Sequence, residues 1–246
     1  MLESRALSIR FGGHVAVDAV SCRFEPGTLT AIVGPNGAGK TTWFNLLSGQ
    51  LRPTAGKVLL RGVDITRTRP SARARMGIGR AFQLTQLFAR LSVHENIRLA
   101  AQARAGVGAQ LWSHWSSWPG PIDAADAILE RIGLGARRDQ PAASLPHGDQ
   151  RKLEVAMLIA MQPDVYMFDE PTAGMSVDEA PVILSLIASI KADRSKTVIL
   201  VEHKLDVVRS LADRIVVLHQ GEQVADGPPA EVMASAIVRR AYLGES

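Results

Sequence analysis

The sequence predicts an α/β fold in which a mostly parallel β-sheet carries helices on both faces, with an antiparallel β edge and an inserted α-helical subdomain. Three observations predict this fold. Short apolar runs, typical of buried strands, alternate with helical patterns over much of the 246 residues. A glycine-rich segment joins one of these runs to a helix. From about residue 84 to 150, strand-like runs cease and helical patterns take over.

The first third of the chain supplies the β edge and two core strands. Apolar alternation over 7–11 and 15–24, with turn residues after each run, predicts two strands, and a third is predicted at 57–61. The run at 29–33 is apolar enough to be a buried strand. A further core strand is predicted at 78–82.

The middle segment is predicted to be helical. Ser92 is placed to cap a helix over 93–104, with Glu95 at the capping-box position, and a second helix is predicted over 124–132. Three tryptophans recur at every third residue between these helices: Trp112, Trp115 and Trp118. Packing inside the helical segment explains them better than contact with a membrane or a partner does, although both interpretations remain open.

The α/β pattern then resumes. Helices are predicted at 150–161 and 181–190, buried strands at 165–168 and 197–201, and a hairpin across 214–225. Strands that alternate with helices indicate a mostly parallel sheet.

Residues 34–42 fit the pattern G-x-x-x-x-G-K-[ST], and we call them the phosphate loop: Gly34, Pro35, Asn36, Gly37, Ala38, Gly39, Lys40, Thr41 and Thr42. The predicted strand at 29–33 precedes this loop, and a predicted helix at 42–47 follows it. Glycines let several backbone N–H groups point into one hollow, and the helix N-terminus adds partial positive charge. Lys40 can reach the β- and γ-phosphates of ATP, and the Thr41 hydroxyl can coordinate Mg²⁺. The prediction is a P-loop NTPase core that binds ATP and Mg²⁺.

Polar residues follow three predicted strands at their carboxyl ends, where α/β sheets bind ligands. Asp169 and Glu170 come directly after one strand. Asp169 suits Mg²⁺, and Glu170 suits the orientation or deprotonation of an attacking water. Gln83 and His203 follow two other strands and are expected at the same crevice.

Composition limits the class of protein. The formal net charge of +4 is modest and scattered, which is too weak an excess to indicate nucleic-acid binding. The single cysteine, Cys22, excludes an internal disulfide and lies in an apolar-alternating run, so we expect a core thiol. We find no signal peptide and no run of 18 apolar residues, so other chains would have to supply any membrane span.

The order of these motifs resembles that of the nucleotide-binding subunits of ABC transporters, over nearly the whole chain. The resemblance implies one nucleotide-binding domain, 1–246, with a RecA-like core (1–83 and 151–246) and a helical subdomain (about 84–150). It implies an ATPase in which Phe11 stacks on adenine and Gln83 reaches Mg²⁺ and water. It also implies that Glu170 is the catalytic base and that His203 lies at the γ-phosphate. The catalytic set is then Glu170, His203 and Gln83, and the metal set is Thr41, Gln83 and Asp169.

The family signature, Leu-Ser-Gly-Gly-Gln, is altered in this chain: Leu145, Pro146, His147, Gly148, Asp149 and Gln150. In the family this segment binds the ATP of a partner subunit. Pro146 removes the serine that would hydrogen-bond the γ-phosphate, and Asp149 adds negative charge near a triphosphate. The loop after the catalytic acids, 173–176, lacks the usual aspartate.

A narrower resemblance concerns the transported substrate. The segments 10–13, 82–83 and 87–97 and the ending 241–245 resemble ATP-binding subunits of branched-chain amino-acid importers. This resemblance implies partners: a second ABC ATPase in a homodimer or heterodimer, transmembrane permease subunits and, indirectly, a periplasmic or extracellular substrate-binding protein. The expected location is the cytoplasmic face of the cell membrane, with 84–91 lining a groove for a permease helix.

Other functions remain open at this stage. Urea importers and the lipopolysaccharide-export ATPase share variants of the same ending. A soluble ABC ATPase that acts on nucleic acid or the ribosome usually has two nucleotide domains or a long coiled-coil insertion, and this chain has neither. A P-loop kinase of small molecules would not need a signature or a switch histidine.

Overall fold

The computed structural model describes residues 1–81, 87–106, 119–176 and 178–235. Within them the chain forms ten strands: β1 (Leu2–Phe11), β2 (His14–Phe24), β3 (Leu29–Val33), β4 (Ala55–Leu60), β5 (Val63–Asp64), β6 (Ile78–Ala81), β7 (Val165–Asp169), β8 (Thr197–Val201), β9 (Arg214–His219) and β10 (Glu222–Gly227). The same residues form eight helices: α1 (Lys40–Ser48), α2 (Pro70–Arg75), α3 (Val93–Ala105), α4 (Pro119–Arg131), α5 (His147–Met161), α6 (Ala180–Ala192), α7 (Leu205–Leu211) and α8 (Pro229–Ala234). The predicted α/β class is confirmed.

A six-stranded sheet in the order β10-β9-β3-β8-β7-β6 forms the centre of the first unit. Strand β3 pairs in parallel with β8 and β9, and β7 pairs in parallel with β8, whereas the β10–β9 hairpin is antiparallel. Every residue of β3, β7 and β8 is buried. Continuous apolar runs of this kind suit parallel strands that are covered on both faces.

The antiparallel β edge is a four-stranded sheet in the order β2-β1-β4-β5. Strand β1 begins at Leu2, five residues earlier than the alternation over 7–11 predicts. The reason is an irregularity: Ala6 has a φ of 43°, and the register with β2 shifts between Ser4 and Leu7. The shift breaks the two-residue period on which the prediction depends.

The hydrophobic core of the first unit gathers side chains from both sheets and from α1. Phe24 and Trp43 lie at its centre, with ring centroids 5.6 Å apart. Cys22 is 5% exposed and belongs to this core, so the prediction of a core thiol is confirmed.

The chain divides into two compact units, of which the first comprises Met1–Arg80, Asp164–Glu170 and Ile187–Ser246, and the second Ala81–Pro163 and Pro171–Leu186. In the second unit α3 packs against α4 and α5. Residues 151–163 and Pro171–Leu186 thus group with the helices in the second unit, and the bounds given above for the core and the helical subdomain stay a prediction.

The start of α3 has the predicted capping box. Ser92 Oγ accepts a hydrogen bond from the Glu95 backbone N–H (3.1 Å), and Glu95 Oε2 accepts one from the Ser92 N–H (3.1 Å). Among the described helices none is long and apolar enough to cross a membrane. Several predictions lie outside the described residues, namely those for Gln83, residues 84–86, the three tryptophans and the ending 241–245.

Candidate nucleotide-binding site

The phosphate loop leaves the end of β3 and runs directly into α1, as the sequence predicts. Two of its glycines have no room for a side chain. A Cβ on Gly39 would lie 2.4 Å from the Ala16 carbonyl oxygen, and Gly39 also has a φ of +96°. A Cβ on Gly34 would lie 2.2 Å from the Leu218 carbonyl oxygen. The loop therefore needs glycine at both positions to pass so close to neighbouring backbone.

Lys40 lies at the first position of α1 and is only 5% exposed. Its Nζ donates hydrogen bonds to the carbonyl oxygens of Gly34 (2.7 Å) and Pro35 (2.8 Å). Burial lowers the pKa of the Lys40 ammonium, and the carboxylates of Glu170 and Asp169 act in the opposite direction. The ammonium is thus folded back over the loop, within the field of both acids.

One hollow of about 430 Å³ gathers most of the predicted nucleotide site. We call it the nucleotide hollow. It is lined by residues from five segments: Phe11, His14, Ala16, residues 36–42, Glu170 and His203. Its volume is in the range typical of small-molecule pockets. The ring of Phe11 is 49% exposed, so it offers an open aromatic face at the rim.

Glu170 and His203 meet in this hollow. Glu170 Oε1 lies 2.6 Å from His203 Nε2. Because an ionised carboxylate only accepts hydrogen bonds, the histidine donates from Nε2. Glu170 follows directly after β7 with a φ of 49°, which is a strained conformation for a residue other than glycine. Its side chain is 25% exposed, which leaves it within reach of a water molecule.

Asp169 is fully buried at the end of β7. Arg80 Nη2 donates to Asp169 Oδ2 at 3.3 Å. The oxygen donors predicted for a magnesium ion are this carboxylate, the Thr41 hydroxyl, which borders the nucleotide hollow, and Gln83, which lies outside the described residues. Among the described residues no group of three or more His, Cys, Asp or Glu could hold a metal ion. A hydroxyl and one carboxylate fit Mg²⁺, which usually takes its other ligands from phosphates and water.

The altered signature lies in the second unit, at the start of α5. Pro146 is the N-cap residue of α5, and no side-chain hydrogen bond caps this end of the helix. Asp149 is ion-paired to Arg137 Nη1 (3.0 Å) and to Lys152 Nζ (2.8 Å). The negative charge that the sequence analysis expected near a triphosphate is therefore neutralised by two cations of the same unit.

Sequence reasoning missed two residues, His14 and Arg80. His14 lines the nucleotide hollow from the start of β2, directly after the Gly12–Gly13 turn. Arg80 is a charged residue inside the apolar run of β6, and that contrast is the signal that could have identified it. The assignment of Gln83 stays a prediction, since that residue lies outside the described ones.

A phosphate loop between a buried strand and a helix, with an Asp-Glu pair at the end of another strand of the same sheet, defines a P-loop nucleoside triphosphatase. The chain belongs to the ABC transporter family, whose family model matches residues 17–173. A second family, the branched-chain amino acid ATP-binding cassette transporters, matches residues 222–246. The predicted family and its ATPase class are confirmed.

Individual relatives carry more specific descriptions than the family does. The chain is 38% identical to the high-affinity branched-chain amino acid transport ATP-binding protein LivG of Escherichia coli (strain K12), over 100% of this chain and 98% of that protein. It is 36% identical to BraF of Pseudomonas aeruginosa, which carries the same description, over 100% and 98%. The crystal structure of the ADP conformation of MJ1267, an ATP-binding cassette of an ABC transporter, superimposes with a TM-score of 0.82 at 29% identity, over 100% of this chain and 99% of that one.

Proposed function

We propose that this chain is the ATP-binding and ATP-hydrolysing subunit of an importer of branched-chain amino acids. The observation that carries the proposal is the nucleotide hollow, in which Phe11, the phosphate loop, Glu170 and His203 meet. The substrate class rests on the full-length similarity to LivG and BraF and on the match at residues 222–246.

In the proposed complex ATP spans the hollow. Phe11 stacks on adenine, the backbone N–H groups of the phosphate loop surround the phosphates, and Lys40 exchanges its two carbonyl partners for phosphate oxygens. Thr41, Asp169 and Gln83 would hold Mg²⁺, which supplies charge neutralisation for the phosphates.

Glu170 is the proposed base for the attacking water. Its Oε1 is hydrogen-bonded to His203, and the carboxylate, whose side chain is 25% exposed, is the proposed acceptor of the proton of the water. The contact also orients the His203 side chain, which we place beside the reacting phosphate. Lys40 provides a positive charge beside Glu170 and Asp169 in this arrangement.

The assembly follows from the same family. We propose that a second ABC ATPase subunit completes the site, with the segment Leu145–Gln150 of each subunit facing the ATP of the other. Permease subunits bind these two ATPases at the cytoplasmic face of the membrane, and a substrate-binding protein delivers the amino acid on the far side. Residues 84–91 are the proposed docking segment for a permease helix. Because Arg137 and Lys152 neutralise Asp149, its negative charge is not expected to prevent the signature from binding ATP.

Deletion of the gene in the source organism tests the function. We expect the loss of high-affinity uptake of labelled leucine, isoleucine and valine. The wild-type gene should restore uptake, whereas a gene encoding Glu170→Gln should not. Labelled urea is the control substrate, because urea importers have similar ATPase subunits. Loss of urea uptake with unchanged leucine uptake would overturn the proposed substrate class while leaving the ATPase assignment in place.

A further inference from the structure

Arg80 is buried at the end of β6, where it joins helix α1 to the end of β7. Its Nη1 donates to Asn45 Oδ1 (2.6 Å) and Ser48 Oγ (2.9 Å), both on α1. Its Nη2 donates to Asp169 Oδ2 (3.3 Å). The guanidinium also lies over the Phe44 ring, 4.7 Å from the centroid. Arg80 thus connects the helix that follows the phosphate loop with the proposed magnesium ligand.

Arg80 and Asp169 form a largely buried ion pair. The Arg80 side chain is 9% exposed and the Asp169 side chain 1%, so water screens neither charge well. Burial lowers the pKa of Arg80, and the Asp169 carboxylate opposes that shift. Removal of one member of a buried ion pair leaves the other charge without compensation, which is costly.

The planar guanidinium makes these contacts simultaneously. One nitrogen faces α1 and the other faces Asp169, while the flat face covers Phe44. A lysine ammonium is a compact charge without a rigid fork, so it cannot reproduce this set of contacts. Arginine at this position therefore supplies a positive charge and also a fixed hydrogen-bond geometry between α1 and Asp169.

We propose that Arg80 is a positioning residue for the ATPase reaction: it orients the Asp169 carboxylate against α1 and acts as its counter-ion when magnesium is not bound. The inference rests on the proposed function in one respect, namely that Asp169 is a magnesium ligand.

The first test is a double-mutant cycle on stability. Arg80→Met, Asp169→Asn and the double variant are unfolded with urea in EDTA, with Arg75→Met, an exposed arginine on α2, as the control. We expect Arg80→Met to lower the midpoint in the wild-type background much more than in the Asp169→Asn background. Additive effects of the two substitutions would overturn the proposed pairing.

The second test uses Arg80→Lys, which keeps the charge and so folds even if the methionine variant does not. Binding of a fluorescent ATP analogue is titrated with MgCl₂. We expect the half-saturating magnesium concentration to rise about tenfold, as it does when a residue that orients a metal ligand is lost. An unchanged magnesium requirement would overturn the positioning role.

The magnesium titration also distinguishes the proposed metal role of Asp169 from the proposed positioning role of Arg80. If Asp169→Asn keeps the magnesium dependence of the wild-type protein, the metal assignment is wrong, and the Arg80 inference falls with it. If Asp169→Asn loses that dependence while Arg80→Lys does not change it, the inference about Arg80 is wrong and the proposed magnesium site stands.

Discussion

Glu170 is the residue whose removal should separate hydrolysis from binding. Glutamine has the same shape as glutamate but cannot take a proton from water, and it leaves the phosphate loop untouched. We predict that Glu170→Gln lowers ATP turnover about 100-fold or more while ATP still binds. Phosphate release measures the first quantity, and titration with a fluorescent nucleotide measures the second. Glu222→Gln, at an exposed position of β10, is the control. Wild-type turnover in Glu170→Gln would exclude Glu170 as the base.

Lys40 should show the opposite pattern, in which binding itself is lost. Its ammonium is already held within the phosphate loop by two carbonyl oxygens, so the structure positions it before any nucleotide arrives. We predict that Lys40→Ala weakens ATP binding about 10–100-fold, the equivalent of one or two charge-assisted hydrogen bonds. Isothermal titration calorimetry measures the affinity. Lys57→Ala, an exposed lysine on β4, should bind as the wild type does, and equal affinities of all three proteins would contradict the proposed phosphate site.

At this scale the sequence predicts geometry best where a motif fixes both residue type and spacing, while the catalytic roles of those residues stay predictions. The phosphate loop, Glu170 and His203 come together because parallel strands present their carboxyl ends at one edge of the sheet. Asp149 shows the limit of such reasoning. Its charge was predictable, but its pairing with Arg137 was not, because residues 12 positions apart in sequence meet only through the packing of a turn on a helix.

At the scale of elements, a side chain from α2 holds the carboxyl end of α1. Arg73 is 1% exposed and donates to the carbonyl oxygens of Leu46 (2.9 Å) and Leu47 (2.6 Å) in α1. It also donates to the carbonyl oxygens of Ile65 (2.8 Å) and Thr66 (3.1 Å). The last carbonyls of a helix have no partners within the helix, so Arg73 satisfies groups that would otherwise be buried and unpaired.

We therefore predict that Arg73→Met destabilises the protein by about 2–4 kcal/mol, because buried carbonyl groups lose their donors. Urea unfolding followed by circular dichroism measures the change in the free energy of unfolding. Arg75→Met, an exposed position on the same helix, should change it by less than about 0.5 kcal/mol. Equal stability of the two variants would show that the contacts of Arg73 are not needed to hold α1.

Fully buried strands were predicted more accurately from the sequence than short helices were. The strands β3, β7 and β8 are buried throughout and mostly apolar, and the predicted runs fall on them to within one residue. The short helices α2, α7 and α8 escaped prediction because six or seven residues give too little periodicity. The first half of β1 escaped because the bulge at Ala6 interrupts the alternation.

At the scale of the whole molecule, the two units are not contiguous in sequence. The first is assembled from three segments and the second from two. Sequence patterns identify elements but not their packing partners, and they do not show that α5 packs against α3 and α4. The residues that line the nucleotide hollow belong to the first unit, and the signature segment Leu145–Gln150 belongs to the second.

The single cysteine gives a direct measure of the stability of the first unit. Cys22 is 5% exposed in the core, and burial raises the pKa of its thiol to about 12. Since the thiolate is the reactive form, the raised pKa makes the buried thiol unreactive in the folded protein at pH 7. We predict that a thiol reagent labels Cys22 only when the first unit opens, so that the labelling rate reports opening.

Nucleotide should slow this labelling, because a ligand that binds only the folded state stabilises it by RT ln(1 + [L]/Kd), about 2.7 kcal/mol at 100 Kd. We predict a labelling rate about 100-fold lower at an ATP concentration of 100 Kd with EDTA, provided that labelling requires an opening that releases nucleotide.

A protein with Cys22→Ser and Ser195→Cys is the control, since Ser195 lies in an exposed turn and its label should attach rapidly with or without ATP. In Lys40→Ala the protection should fall from about 100-fold to about 2–11-fold at the same ATP concentration, because [L]/Kd is 10–100 times smaller. Rapid labelling of Cys22 in the folded protein would contradict its place in the core. Slow labelling that ATP does not change would show that nucleotide binding and the stability of the first unit are independent.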